Sequence, residues 1–407
     1  MEAEAYRGYC LESVAAAYDV VLITSEEPSW EVPFFRDCLV VPDPTDQAAL
    51  SAASRALAER YELAGVFTWT EWYLVPVARL ARQLGLPTTA PEAMQACRNK
   101  ATARNLFARH GVPSAASLSV RNVQEAWAAA ERIGYPVVLK PAAHAGSIGV
   151  IRVDHHDQVP AAYDFAARPA GVGKQNTSVL VEEYLDGPEV SVECVTYRGE
   201  TTVVAVTHKT VSAPPFFEEL AHSVDASDPL LDVVAPAARA AIGALGITDG
   251  VSHVEMRLVD GRLRLVEVNA RLAGDMIGHL VRLATGIDLP RAAADIACDH
   301  APDLTPTRSS AAAIHLIYPE TSGTLTALRY DGPRPPWLER LSFQRSVGDR
   351  LLLPPHGDLF SARIGFLITT GATADEARQR GQEALHALTL HVTPHQAGQG
   401  TRTDLLG

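Results

Sequence analysis

Lysine is scarce in this sequence: only Lys100, Lys140, Lys174 and Lys209 among 35 basic residues, the rest being arginine. A lysine ammonium and an arginine fork are not interchangeable where a compact point charge is wanted, so each of the four invites a reading. Cysteine is sparse as well. The five cysteines are scattered without a CxxC spacing, which argues against a zinc or disulfide framework and for free thiols in a reducing cytoplasm. No apolar run reaches the roughly 18 residues of a membrane-spanning helix, and the acidic stretch from Met1 to Tyr6 lacks the basic start of a signal peptide. A cytoplasmic protein with no membrane partner is therefore expected. Positive charge is also short, with 48 acidic residues and a formal net charge of −13. That balance argues against a nucleic-acid partner, although a locally basic cleft is compatible with an acidic protein. No GxGxxG follows the first strand-like run, so a dinucleotide site is poorly supported.

What is present is a chain of 407 residues, 47% of them apolar, enough for two or three packed domains. Residues 1–91 alternate strand-like runs (Asp19 to Thr24, Gly65 to Thr68) with helical patterns (Asp46 to Glu62, Trp72 to Leu84), which predicts a parallel α/β layer. Residues 92–188 begin with a helix from Glu92 to His110, stopped by Gly111-Val112-Pro113. Strands at Pro136 to Lys140 and Gly149 to Val153 follow, joined by a glycine-bearing loop, and then a strand from Ser178 to Glu183. Residues 189–407 carry strands at Glu189 to Tyr197 and Thr201 to Thr207, a helix at Leu230 to Leu245, and a hairpin pairing Gly250 to Val259 with Arg262 to Asn269. The hairpin turns at Asp260-Gly261, a strong type I′ signal. A smaller α+β tail, from about residue 308, has a strand near Ile364 to Thr369 and a helix at Thr373 to Ala387. The fold class is α/β and α+β, with a central lid-bearing domain between two others.

The chemistry concentrates in the hairpin. Residues two apart on a strand share a face, so Glu267, Asn269 and Arg271 project together, and the turn brings Glu255 alongside. Two carboxylates and an amide oxygen on one face make an oxygen-rich site suited to Mg²⁺. An adjacent arginine balances charge on a transferring phosphoryl or acyl phosphate. The ordinary alternative is an exposed sheet face of alternating polar residues. Lys140 ends an apolar strand just before the small-residue loop containing Gly146, Ser147 and Ile148, which offers a cation and backbone N–H groups to phosphates. The alternative there is a hairpin turn with a snorkelling lysine. Lys100 lies in a helical stretch. The segment Glu182-Glu183-Tyr184-Leu185 leaves a core strand, and its backbone suits an adenine edge. Gly171-Val172-Gly173-Lys174 imitates a Walker fragment, but Gln175 stands where Ser or Thr is needed. That segment reads as a loop, with Lys174 unassigned. Trp69, Trp72, Phe216 and Phe217 fit a pocket or a core equally well.

In this order the motifs resemble the ATP-grasp superfamily, within it the L-amino-acid ligase and related carboxylate–amine ligase branch, firmly over residues 60 to 300. The resemblance implies an ATP-grasp fold, ATP with two Mg²⁺ ions (Mn²⁺ being an acceptable substitute), and small carboxylate and amine substrates. It matches Lys100 and Lys140 to phosphate-binding lysines, with Asn99 replacing the usual Asp. Glu182 to Leu185 match the adenine hinge, and Glu189 a ribose-contacting acid. It matches Glu255, Glu267 and Asn269 to the metal ligands, and Arg271 to the arginine that steadies the acyl phosphate. The run from Arg271 through Gly274 to Asp275 is similar to the R-x-x-G-G/D continuation of amino-acid ligases. Lys209, Glu219 and His222 look like a segment facing nucleotide and substrates. Glu219 would hold an ammonium or a metal, and His222 would bind the tetrahedral oxyanion or accept the amine proton. The implied product is an amide or peptide bond formed through an acyl phosphate, beneath a lid at His144 to Gly149. Acyl transfer to a carrier-protein thiol, a carboxylase acting on bicarbonate and a non-catalytic nucleotide-binding module stay open. A homodimer is a fair expectation for the class.

Overall fold

The N-terminal section opens with α1 (Glu4–Ala15) and a short parallel pair, β1 (Val21–Thr24) and β2 (Asp37–Val40), in a computed structural model that describes residues 4–143, 146–170 and 178–394. The helix expected from Asp46 to Glu62 is shorter: α2 spans Gln47–Ala58. Asp46 caps it by accepting from the Ala48 and Ala49 N–H groups. The far end turns early because the Arg60 and Tyr61 N–H groups return to the Leu57 carbonyl. The strand expected at Gly65 to Thr68 does not form a ladder. That stretch instead lies against a later helix, so close that a Cβ on Gly65 would sit 2.5 Å from the Ala297 carbonyl oxygen. The pairing falls to β2, which the sequence reading passed over. α3 (Leu74–Leu84) closes on Gly85 in the left-handed region, φ 71°.

The single helix expected from Glu92 to His110 is two, α4 (Pro91–Arg98) and α5 (Lys100–Arg109). Asn99 breaks the run with an extended backbone, φ −111° and ψ 98°, and its side chain accepts from the Thr102 N–H. An asparagine that caps is more stable than one inside a helix, and its amide also satisfies an orphan donor. Lys100 therefore opens a helix rather than sitting inside one.

A four-stranded antiparallel sheet follows, built from β3 (Ser117–Val120), β4 (Val137–Pro141), β5 (Ile151–Val153) and β6 (Val179–Glu183) in the order β3-β6-β4-β5. Helices α6 (Val123–Ile133) and α7 (Val159–Ala170) cover one face, burying Val137, Leu139, Val179 and Val181. His144 and Ala145 of the expected lid, and Gly171 to Gln175, lie outside the described residues.

The remainder contributes β7 (Glu189–Tyr197), β8 (Glu200–Val211), β9 (Glu219–Asp225), α8 (Leu231–Leu245), β10 (Gly250–Val259) and β11 (Arg262–Asn269). Then come α9 (Ile277–Thr285), α10 (Leu289–Ala297), β12 (Ala311–Ile317), β13 (Gly323–Tyr330), β14 (Leu338–Phe343) and β15 (Arg350–Leu351). The chain ends in α11 (Leu359–Ala362), β16 (Gly365–Gly371), α12 (Ala374–His386) and β17 (Leu388–Pro394). Eight of these strands form one antiparallel sheet, β11-β10-β7-β8-β9-β12-β16-β14, and β15-β13-β17 form a small one. The tail thus extends the main sheet through β12, β16 and β14. The Asp260-Gly261 turn has φ 48° and 73°, the two left-handed residues that a type I′ turn requires.

Candidate active site

Between the four-stranded sheet and the β11-β10-β7 end of the large sheet lies a cleft of about 1000 Å³. It collects most of the residues singled out in the sequence. Lys100, Lys140, Gly146 to Ile148, Glu182 to Leu185, Glu189, Glu219, Glu255, Glu267, Asn269 and Arg271 all border it. Lys209 and His222 stand one layer behind that border, beneath Glu219 and Glu255, whereas Gly274 is exposed and lies off it.

The large sheet supplies the acidic wall. Across the hairpin Glu255 faces Glu267 in register and His253 faces Asn269, with a bulge after Glu255. Lys100 Nζ lies 2.9 Å from Glu267 Oε1. Lys209 is nearly inaccessible and shared by Glu219 at 2.9 Å, Glu255 at 3.2 Å and Glu189 at 3.5 Å. Burial alone would lower the Lys209 pKa, but those carboxylates raise it well above the usual value. Reciprocally, burial would raise the Glu255 carboxyl, yet Lys209 and His253 hold it well below the usual range. Glu189 is also gripped by Arg257, at 2.8 and 3.0 Å.

The four-stranded sheet supplies the cationic wall. Lys140, at the end of β4, meets Glu182 of β6 at 2.5 Å. Arg104 of α5 forks onto the same carboxylate at 2.9 and 3.0 Å. Burial opposes ionisation of Glu182, but Arg104 and Lys140 bring its carboxyl down to about 2. The Lys140 ammonium is itself lowered by burial, which Glu182 only partly offsets. Beside them Gly146 (φ 69°) and Ser147 (φ 54°) are left-handed, a conformation that turns successive backbone groups toward one side. Val138, Ile148, Leu185, Phe217 and Val266 give the inner end an apolar lining. Phe217 borders the cleft whereas Phe216 is core, 2% exposed against Phe165. Trp72 is a half-exposed platform for Arg98, 4.8 Å from its ring centre.

Arg271 is not on the strand as expected, because β11 ends at Asn269. It reaches the cleft from the following segment, held by Glu71 at 2.7 Å and by the Leu272 carbonyl at 2.8 Å. Behind it His222 Nε2 lies 2.9 Å from Glu219 and 3.4 Å from Asp275, which Arg363 in turn pins at 2.5 Å. Burial disfavours the charged imidazole, but Glu219 and Asp275 raise its pKa. His222 Nδ1 is buried with no partner among the described residues.

Several participants escaped the sequence reading. Glu71 and Arg104 are far in sequence from the groups they anchor, and no spacing rule links them, whereas Asp275 was read only as the end of the Arg271 run and not as the partner of His222. His253 is different. It precedes Glu255 by two residues and so shares its face, as the period-two argument used for Glu267 and Asn269 would have shown. His253 lies between Glu193, at 2.9 and 3.1 Å, and Glu255, at 3.1 Å. Burial lowers its pKa, but Glu193 and Glu255 prevail and push it up to about 9.

Comparison with known proteins agrees with this architecture. The ATP-grasp N-terminal domain model matches residues 13–88 and the ATP-grasp domain model residues 133–279. Carnosine synthase 1 of Homo sapiens is 29% identical over 291 residues, which are 67% of this chain and 35% of that protein. Alanine–anticapsin ligase of Bacillus amyloliquefaciens is 27% identical over 263 residues, covering 60% of this chain and 55% of the ligase. These alignments thus span about a third and about half of the relatives' lengths. The crystal structure of L-amino acid ligase from Bacillus licheniformis superposes with a TM-score of 0.78 at 24% identity, covering 95% of each chain. With both domain models in sequence order and the fold matched end to end, the chain belongs to the ATP-grasp superfamily and resembles its carboxylate–amine ligase branch.

Proposed function

We propose that this chain is an ATP-dependent carboxylate–amine ligase, with an amino acid as one substrate, working through an acyl phosphate. One observation carries the reading: Glu255 and Glu267 oppose each other across β10 and β11 beside Asn269, bordering the same cleft as Lys100 and Lys140. The donor set fits two Mg²⁺ ions, or Mn²⁺ in their place, because it is all oxygen, from two carboxylates and an amide. Lysine ammonium groups already stand on both carboxylates, where a cation is favoured. Metal bound there would neutralise charge during phosphoryl transfer.

The chain's own groups do the rest. Lys140 and the backbone of Gly146 to Ile148 cradle phosphates, the Glu182-to-Leu185 segment meets the base, and Glu189 meets the ribose. Arg271, oriented by Glu71, holds the carboxylate being activated. His222 keeps its Nε2 proton directed at Glu219 and Asp275, and from the layer behind the border it orients Glu219. Glu219 and Gly274 flank the amine.

Phosphate release measured against a matrix of amino acids and small carboxylic acids, with product masses, tests the proposal. ADP formation with a product equal to the two substrates less water is expected. ADP formation dependent on bicarbonate alone, acyl loading confined to a carrier thiol, or no ADP across the matrix would each overturn it.

A further inference from the structure

Behind the acidic wall a second tier of polar groups is sealed from solvent. Glu193 on β7 is fully buried, and His253 on β10 is 4% exposed. Glu193 faces His253 directly in the β7–β10 register. Its carboxylate receives Ser191 Oγ at 3.0 Å and Thr207 Oγ1 at 3.3 Å besides the imidazole. Such a carboxylate is over-determined in position, because donors from β7, β8 and β10 converge on it. Both ring nitrogens of His253 point at carboxylate oxygens: Nδ1 at Glu193 and Nε2 at Glu255 Oε1, 3.1 Å away. Since a carboxylate offers only acceptors, both nitrogens must donate, and the ring stands as a cationic bridge. Lys209 Nζ lands on that same Oε1 at 3.2 Å. Two buried donors therefore occupy one oxygen of Glu255, and the other oxygen is left as the one to meet a cation in the cleft.

We infer that Glu193 and His253 are positioning residues for the metal site, fixing which oxygen of Glu255 is offered and in what direction. The inference rests on the reading of Glu255 as a metal ligand. A merely structural bridge would stabilise the sheet without favouring one carboxylate oxygen. Outer-sphere hydrogen bonds that orient a ligating group govern affinity by about 10- to 100-fold.

Removing one partner alone leaves a buried charge uncompensated and endangers folding. The informative variant is accordingly the double substitution His253→Gln with Glu193→Gln, which removes both charges and keeps amide groups in place. Glu193→Gln alone is the milder companion, because the ring keeps Glu255 as a charged partner and the new amide oxygen still accepts from it. Free Mn²⁺ would be followed by electron paramagnetic resonance during titration of each protein in the presence of ADP. ADP affinity in EDTA and the melting temperature would be measured in parallel. The expected result is Mn²⁺ binding weakened about 10- to 100-fold in the double variant and less in Glu193→Gln, with metal-free ADP affinity unchanged. Mn²⁺ affinity within about twofold of wild type in a folded double variant overturns the inference alone, on the same scale. Wild-type protein that takes up no Mn²⁺ with ADP overturns the metal-site reading and this inference with it.

Discussion

The two walls of the cleft solve the problem of buried charge in opposite ways. On the four-stranded sheet one carboxylate, Glu182, is shared by two cations, Arg104 and Lys140. On the large sheet one cation, Lys209, is shared by three carboxylates, Glu189, Glu219 and Glu255. The two differ in which charge is shared, and the carboxylates of the large sheet lean on Arg257, His253 and His222 as well. A polyphosphate with a divalent cation has the complementary layering. The difference teaches that one wall groups cationic donors and the other groups carboxylate oxygens while each buried charge keeps a partner, because uncompensated buried charge is costly.

The sharpest way to break the contrast is to change the groups that border the cleft between the two walls. Glu267→Gln should lower ADP release by about 10³-fold while the protein stays folded, and Arg271→Ala should do the same. Steady-state phosphate release with circular dichroism checks this, and near-normal turnover would contradict it. On the opposite wall Glu182→Gln leaves Arg104 and Lys140 facing each other without their shared anion, and about 3–5 kcal/mol of stability should be lost in urea unfolding. The same carboxyl gives a pH test. Its folded pKa of about 2 lies below the ordinary 4.5, so its contribution is complete above about 4.5 and lost as pH falls toward about 2. Wild-type unfolding midpoints should drop across that window, and Glu182→Gln should lack this part of the slope. Lys140→Met is gentler, since Arg104 still neutralises Glu182. ADP affinity should weaken about 10- to 100-fold, the worth of one charge-assisted hydrogen bond, by fluorescence or calorimetric titration. The smallest effect is at the hinge between α4 and α5. Asn99→Ala should cost about 1 kcal/mol through the lost cap, read from the melting temperature, whereas Asn99→Asp should be nearly neutral.

The sequence was most legible where local rules are strict. The Asp260-Gly261 hairpin follows from turn chemistry, but its unbroken register would set Glu255 opposite Val266, and the bulge after Glu255 is what brings it opposite Glu267. The break at Asn99 was hidden because the residues on either side keep helical periodicity, and only the cap geometry distinguishes a new helix start. β9 was missed because a proline-rich stretch, Ala213 to Phe217, separates it from β8, and its register comes from pairing with β8 and β12. Arg271 was placed on a strand because the alternation continues past Asn269, whereas in the structure Glu71 and the Leu272 carbonyl fix its direction. The roles of Glu71, Arg104, Asp275 and Arg363 depend on contacts between distant segments, which no local pattern encodes.

A crystal grown with ADP and Mn²⁺, examined by anomalous scattering at the manganese edge, addresses the contrast between the two walls most directly. Manganese should lie among Glu255, Glu267 and Asn269, with the phosphates between it and Lys140. Manganese found only at Glu219, His222 and Asp275, or phosphates turned away from Lys140, would contradict the account.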